Sequence, residues 1–182
     1  MFNSISNTVN AFFNTDIPTH IVNSNGALRF SVNSSDWIRL GISLFGGLYH
    51  NELQQVFTLK SVISQIRSIK EGDCVGYQNS FSAKETMKIA VVPMGYADGL
   101  NRKLGNSRGH VLIHNKKCPI IGDISMDSFI ADISSVIVEE GDEVVIFSPE
   151  HSVSLLAKEL ETIPYEIMAT LNRRIKRIYL NE

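Results

Sequence analysis

Two tyrosines sit where chemistry is easiest to mount. Tyr77 closes Asp73-Cys74-Val75-Gly76-Tyr77 and Tyr96 lies in Gly95-Tyr96-Ala97-Asp98-Gly99, each beside a glycine and each after a turn signal. A phenol can give up or take a proton, and a turn brings it to the surface, where loops carry function. Because a free tyrosine titrates near about 10, service as a base at neutral pH needs hydrogen bonds to the phenolate or a neighbouring cation. Taken singly, each tyrosine also fits plain packing, and aspartate-glycine is a common hairpin turn.

Other clusters carry less. His110 and His114 are four apart, the spacing of helical metal ligands, but Val111-Leu112-Ile113 between them reads as a strand that separates the pair along its length. Both are expected as surface histidines, with no metal site. Asp98, Asp123, Asp127 and Asp132 are accounted for mostly by turns. Arg173, Arg174, Lys176 and Arg177 form one local basic cluster, expected as a solvated helix end or strand edge. With 17 basic against 19 acidic residues, a net charge of −2 gives no reason to expect nucleic acid or anionic lipid as partner. Cys74 and Cys118 are too few for a disulfide framework and lack metal-ligand spacing, so they are expected reduced. The opening MFNSISNTVNAFF has no basic leader, and no stretch approaches the roughly 20 apolar residues of a membrane span. The expected location is the cytoplasm.

The elements that must position these residues fall into two regions. Ile5, Val9 and Phe12 or Phe13 recur at helical spacing, Pro18 breaks the run, and His20-Ile21-Val22 reads as a strand. A helix from about Gly26 to Val32 and a strand from Trp37 to Leu44 follow, the layout of βα units with a parallel sheet. Two such units cannot close a sheet, so the apolar flanks of this region need completion by something else. From about Gln54 the pattern changes to β-branched runs between Gly, Asp and Asn, a compact β-domain. Val153 to Glu161 and Tyr165 to Arg173, opened by Pro164, read as helices. The boundary is expected in the linker Tyr49-His50-Asn51-Glu52, giving residues 1–50 as a partial α/β segment and 51–182 as a mostly-β domain, an α+β chain overall.

Several strings together resemble a known family. VGYQNSF, VVPMGYADGL, IIGDISMD, EEGDEVVIF, TIPYEI and RRIKRIY stand in the order and at nearly the spacing of the C-terminal domain of pyridoxal-phosphate-dependent alanine racemases. VNSNGAL and IRLGISLFGG are similar to the last strands of their barrel. The resemblance implies an enzyme with an eight-stranded α/β barrel holding pyridoxal 5'-phosphate, a β-domain after it, and two subunits arranged head to tail so that each active site mixes subunits. Fold class follows: the last βα units of a (β/α)8 barrel, then the mostly-β domain.

The same resemblance assigns roles. Tyr77 would move the α-proton on one face of alanine while a barrel lysine serves the other, since inversion takes a proton from one side and returns one to the opposite side. Tyr96 would gate the substrate entrance; Met126 would offer its backbone N–H to the substrate carboxylate, with Asp127 in the same channel. Ser24, the backbone N–H groups of Gly41 and Ile42, and the Tyr165 hydroxyl would hold the cofactor phosphate, a set whose donors suit a dianion. Arg39 would face the pyridine nitrogen, where a permanent cation keeps it unprotonated and restrains side reactions. Three positions depart from the usual pattern: Asp123 where many relatives are basic, Ser128 for a frequent glutamine, and Phe45 for a frequent tyrosine.

No lysine here stands in the motif that carries the Schiff base, which in the family lies in the first half of the barrel with the substrate-holding arginine. The chain by itself is therefore expected to be inactive. It reads as one part of a racemase supplying D-alanine for peptidoglycan precursors, working as a homodimer or with a separate lysine-bearing N-terminal fragment. The alternatives are a non-catalytic remnant and a module that binds the cofactor or another protein.

Overall fold

The computed structural model describes residues 1–30, 35–48, 50 and 52–180. Val32, Tyr49 and Asn51, which carry the expected end of one helix and part of the expected linker, lie outside the described residues. The chain divides into two compact units, Met1–Gln54 and Gln55–Glu182.

In the first unit, α1 (Phe2–Phe13) stops at Asn14, whose left-handed conformation (φ 49°) lets its N–H reach back to the Asn10 carbonyl. The stop is four residues before Pro18, so the asparagine cap and not the proline ends the helix. None of α1 is buried, and Ile5, Phe12 and Phe13 are exposed. β1 (His20–Asn23) and β2 (Trp37–Arg39) pair in parallel, as expected of βα units. Asp36 ties the entry to β2 onto Thr19, accepting from its backbone N–H at 2.8 Å and its hydroxyl at 2.9 Å. Between the strands, α2 (Ser24–Arg29) begins two residues earlier than its apolar pattern suggests, because the Asn23 side chain caps it by accepting from the Gly26 N–H at 2.9 Å. The expected strand to Leu44 is corrected as well: pairing ends at Arg39, Gly41 turns the backbone, and Ile42–Phe45 form a 3-10 turn closed by Gly46 at φ 65°. Local turn geometry there overrides the strand preference of an apolar run. Trp37, Ile38, Leu40 and Leu44 are all exposed.

The second unit is built on a seven-stranded antiparallel sheet. Its strands are β3 (Leu59–Val62), β4 (Gln65–Ile69), β7 (Met87–Val92), β8 (His110–Ile113), β9 (Lys116–Ile121), β10 (Phe129–Asp132) and β11 (Glu143–Phe147), in the spatial order β3-β11-β8-β9-β10-β7-β4. A separate short hairpin joins β5 (Cys74–Val75) to β6 (Phe81–Ser82). β3 and β4 occupy opposite edges although only Ile63 and Ser64 separate them, so the sheet curls until its edges approach. Ile63 donates to the Asp142 carbonyl and Ser64 to that of Val91, one bond toward each edge. Alternating residues of the curled sheet point inward: Val92, Val111, Ile113, Ile120, Phe129, Val144 and Ile146 are at most 1% exposed and form one core. Each such side chain contributes about 1.5–3 kcal/mol on burial.

Two helices close the sheet. α3 (Val153–Glu159) is capped by Ser152, which accepts from the Leu155 N–H, and buries Val153, Leu156 and Ala157. α4 (Pro164–Thr170) starts with proline at its first turn and ends three residues short of Arg173. Beyond Thr170 the chain is committed elsewhere: the Asn172 N–H donates to the Asp98 carbonyl.

Candidate functional site

Tyr77 stands on the loop between β5 and β6 and is 70% exposed. Gly76 before it has φ 82° and ψ 174°, backbone that only glycine adopts readily, and a Cβ there would meet Ser80 Oγ at 2.6 Å. The loop is pinned from behind, since Ser80 Oγ accepts from the Asp123 N–H at 3.0 Å. The phenol therefore projects from a braced support. It lines a cleft of about 300 Å³ with Asp123, Ser125, Ser128, Phe129 and Ile130. Asp123, the charged residue of that lining, is held by Asn106 Nδ2 at 2.8 Å. The Ser125 and Ser128 hydroxyls are 2.9 Å apart, and the Ser125 hydroxyl also takes the Ser128 N–H.

Tyr96 and Met126 belong to one assembly. The Gly95–Gly99 turn lies against residues 125–126: Tyr96 N–H donates to the Ser125 carbonyl at 3.1 Å and Ala97 N–H to that of Met126 at 3.0 Å. Contact is close enough that a Cβ on Gly95 would lie 2.3 Å from the Met126 oxygen. Asp98 holds the turn from within, taking the Gly95 N–H on Oδ2 at 2.9 Å. Its other oxygen accepts from Arg174 Nε at 2.6 Å, while Arg174 Nη2 reaches Asp127 at 2.7 Å. The guanidinium beside it holds the Asp98 carboxyl below the usual carboxylate range. Arg174 is exposed, in keeping with the solvated basic cluster expected of the sequence, and is in addition the cation of a two-carboxylate bridge. Tyr96 is 43% and Met126 53% exposed, and Arg102 lies 5.9 Å over the Tyr96 ring.

Tyr165, in the first turn of α4, is 40% exposed and is not among the residues lining the Tyr77 cleft. His110 corrects another expectation. It is no surface histidine: its ring lies 4.5 Å from that of His151, and neither buried Nε2 has a partner among the described residues. Burial pushes both imidazoles below the ordinary histidine value. His114 is exposed, 3.2 Å from Asp142. Among the described residues no group of three metal-ligating side chains is brought together.

Within the first unit, four expected or newly found groups converge. Ser24 is 2% exposed at the start of α2; its Oγ accepts from the Gly41 N–H at 3.1 Å and from Ser43 Oγ at 3.0 Å. Gly41 has open space where a Cβ would sit, which is what close approach of a ligand to backbone requires. Ile42 is buried beside them. Ser43 was not singled out from the sequence, where a serine inside an apparent strand gives no signal. Arg39, at the end of β2, is oriented by His20 Nδ1 at 2.8 Å and the Ile21 carbonyl at 3.3 Å. Hydroxyls, amides and a glycine of this kind suit a phosphate, so the residues fit the cofactor that the motifs imply.

A chain whose second unit is a curled seven-stranded antiparallel sheet, with a parallel βα segment before it, defines the class of α+β proteins in which a β-domain follows barrel-type strands. Residues 56–179 match the family described as alanine racemase, C-terminal domain. The chain belongs to that family. It is 37% identical over 172 residues to alanine racemase 2 of Caldanaerobacter subterraneus subsp. tengcongensis, covering 88% of this chain and 44% of the relative. It is equally identical over 177 residues to an alanine racemase of Helicobacter pylori, covering 88% and 47%. The crystal structure of alanine racemase from Bartonella henselae with covalently bound pyridoxal phosphate is similar with a TM-score of 0.82 and 34% identity, over 97% of this chain and 52% of that one. That of the Bacillus anthracis enzyme with bound L-Ala-P gives 0.86 and 28%, over 99% and 50%. The chain thus spans about half the length of the relatives it matches.

Proposed function

We propose that this chain supplies the tyrosine-bearing part of a pyridoxal-phosphate-dependent alanine racemase, interconverting L- and D-alanine. The observation that carries the reading is Tyr77, a phenol held out by a braced, glycine-dependent loop at the rim of a cleft lined by Ser125 and Ser128. Pyridoxal phosphate, when bound, supplies the electron sink that makes the α-hydrogen of an amino acid removable.

The residues divide the remaining work. Ser24, Ser43 and the Ile42 amide would hold the phosphate, joined by the Gly41 N–H, which here donates to Ser24 Oγ. Arg39, already aimed by His20 and the Ile21 carbonyl, would face the ring nitrogen as a cation that cannot donate its charge away. The Met126 amide would bind the substrate carboxylate, with Tyr96 and Asp127 lining the approach. Tyr77 Oη would take or return the α-proton on one face. The charged residue lining the described Tyr77 cleft is Asp123, so a cation beside the phenol would come from groups of another subunit or chain part.

The lysine that acts on the opposite face belongs, in this reading, to a barrel portion outside these residues, and that portion would cover Ile21, Trp37, Ile38 and Leu40. A dimer, a cytoplasmic location and a role in supplying D-alanine to the cell wall go with the same reading. No helix among the described residues is long and apolar enough to cross a membrane.

The test is reconstitution. The chain with pyridoxal phosphate alone should form no D-alanine, and the chain combined with a lysine-bearing N-terminal half of an alanine racemase should. Tyr77→Phe in the combined system should abolish racemisation while one alanine enantiomer still exchanges its α-hydrogen with solvent deuterium. Turnover undiminished by that substitution would remove Tyr77 from the reaction.

A further inference from the structure

We infer that Arg174 is a positioning residue, whose guanidinium clamps the Gly95–Gly99 turn and the Ser125–Asp127 segment into one rim and thereby aims the Met126 amide. The inference rests on the reading of Met126 as the carboxylate donor and extends it to a side chain that acts through Asp98 and Asp127.

The aim follows from peptide geometry. The Met126 N–H shares a planar trans peptide with the Ser125 carbonyl, so the two point in opposite directions. The Tyr96 N–H fixes the Ser125 oxygen, and with it the direction of the Met126 amide; the Ala97 N–H fixes the Met126 oxygen on the next peptide. Whatever holds the turn therefore holds the donor. Asp98 does so from inside, and both of its oxygens are engaged, Oδ2 by Gly95 and Oδ1 by Arg174. Arg174 in turn grips Asp127, the residue after Met126, so the segment is braced on both sides.

Arginine is the side chain this needs. Nε and Nη2 are separate N–H vectors in a rigid plane, one to each carboxylate, whereas a lysine ammonium is a point donor. The guanidinium is itself set by its own segment: the Arg174 N–H donates to Asn172 Oδ1, and the Asn172 N–H to the Asp98 carbonyl. The Asp98 arm is the firm one, its side chain 13% exposed. The Asp127 arm is open, with 63% of Asp127 and 48% of Arg174 exposed. An ion pair so exposed adds little to the stability of a whole domain, which leaves local orientation as its effect.

Hydrogen exchange on the full chain provides the first test. In Arg174→Met, the Tyr96 and Ala97 amides should exchange roughly tenfold faster or more, while those of β7 and β10 stay within about twofold of native. Arg174→Lys should show nearly the same local loss. In the chain combined with a lysine-bearing racemase half, Arg174→Met should raise KM for alanine by about tenfold with kcat changed far less, as expected when a ground-state contact is misaligned.

Native exchange at Tyr96 and Ala97 in Arg174→Met would overturn the clamp, and so would full rescue by lysine. Acceleration throughout the sheet would show a merely structural role and overturn the positioning claim, as would an unchanged KM. If the unsubstituted combination never turns over, the racemase reading fails by itself, and the exchange measurement still decides the clamp.

Discussion

Replacing Gly95 with alanine probes the contact on which the candidate site depends. Gly95 has φ −138° and ψ −164°, extended backbone that alanine adopts freely, so conformation adds no penalty. Space does. The added Cβ would lie 2.3 Å from the Met126 oxygen, 2.4 Å from the Met126 carbonyl carbon and 2.4 Å from the Ser125 oxygen, all backbone atoms that cannot swing aside. Restoring a contact of about 3.5 Å requires the two segments to part by about 1 Å. That displacement breaks the bonds from Tyr96 to Ser125 and from Ala97 to Met126, now 3.1 and 3.0 Å. At about 1 kcal/mol net for each bond the loss is about 2 kcal/mol. Alanine recovers about 0.4–1 kcal/mol of it by lowering the entropy of the unfolded chain, leaving a net destabilisation of about 1–2 kcal/mol. Urea unfolding followed by circular dichroism should show a lower midpoint, and exchange of the Tyr96 and Ala97 amides should accelerate. A Gly95→Ala chain with the native midpoint and native protection at those two amides would refute the close approach of turn and segment.

Two further outcomes follow from buried groups away from the tyrosines. His110 and His151 resist protonation when folded, so below about pH 6.5 the unfolded chain binds more protons and stability falls as pH drops toward the folded values, with no contribution above about 6.5. Each such proton gives a limiting slope of about 1.4 kcal/mol per pH unit, most closely approached by His151, which is 5% exposed. Urea midpoints measured across this range should fall less steeply in His151→Phe than in the native chain; parallel slopes would contradict the assignment. Cys118 is fully buried and its thiol is pushed up to about 11 by burial first and the Asp132 charge second, whereas Cys74 is exposed. An aromatic disulfide reagent at neutral pH should titrate Cys74 alone until the chain is unfolded, and immediate reaction of both would place Cys118 wrongly.

What could be read in the sequence tracks how local its causes are. The β-branched runs bounded by Gly, Asp and Asn became β7 to β11 nearly residue for residue, because strand preference and turn chemistry act over a few positions. Ile42–Phe45 misled for the opposite reason: an apolar run looks like a strand, and only the backbone at Gly41 and Gly46 shows it turning. Tyr77, Tyr96 and Met126 stood out through linked motifs. Arg174 did not, since its partners Asp98 and Asp127 are 76 and 47 residues away and a run of basic residues looks the same whether solvated or bridged. The tilted ring contact of His110 with His151 was hidden likewise, a contact between β8 and the loop before α3.

Placing β3 and β4 on opposite edges of the sheet, two residues apart in sequence, constrains how this unit can assemble. β3 cannot pair until β11, synthesised far later, is available, while β4 must wait for β7. Hairpins such as β8–β9 can zip early, but the curl closes only through the most distant pairing in the unit, a loop entropy that is spent before its contacts are gained. The domain is thus a slow folder by topology, and until closure its first strand offers an unsatisfied edge to any neighbouring chain.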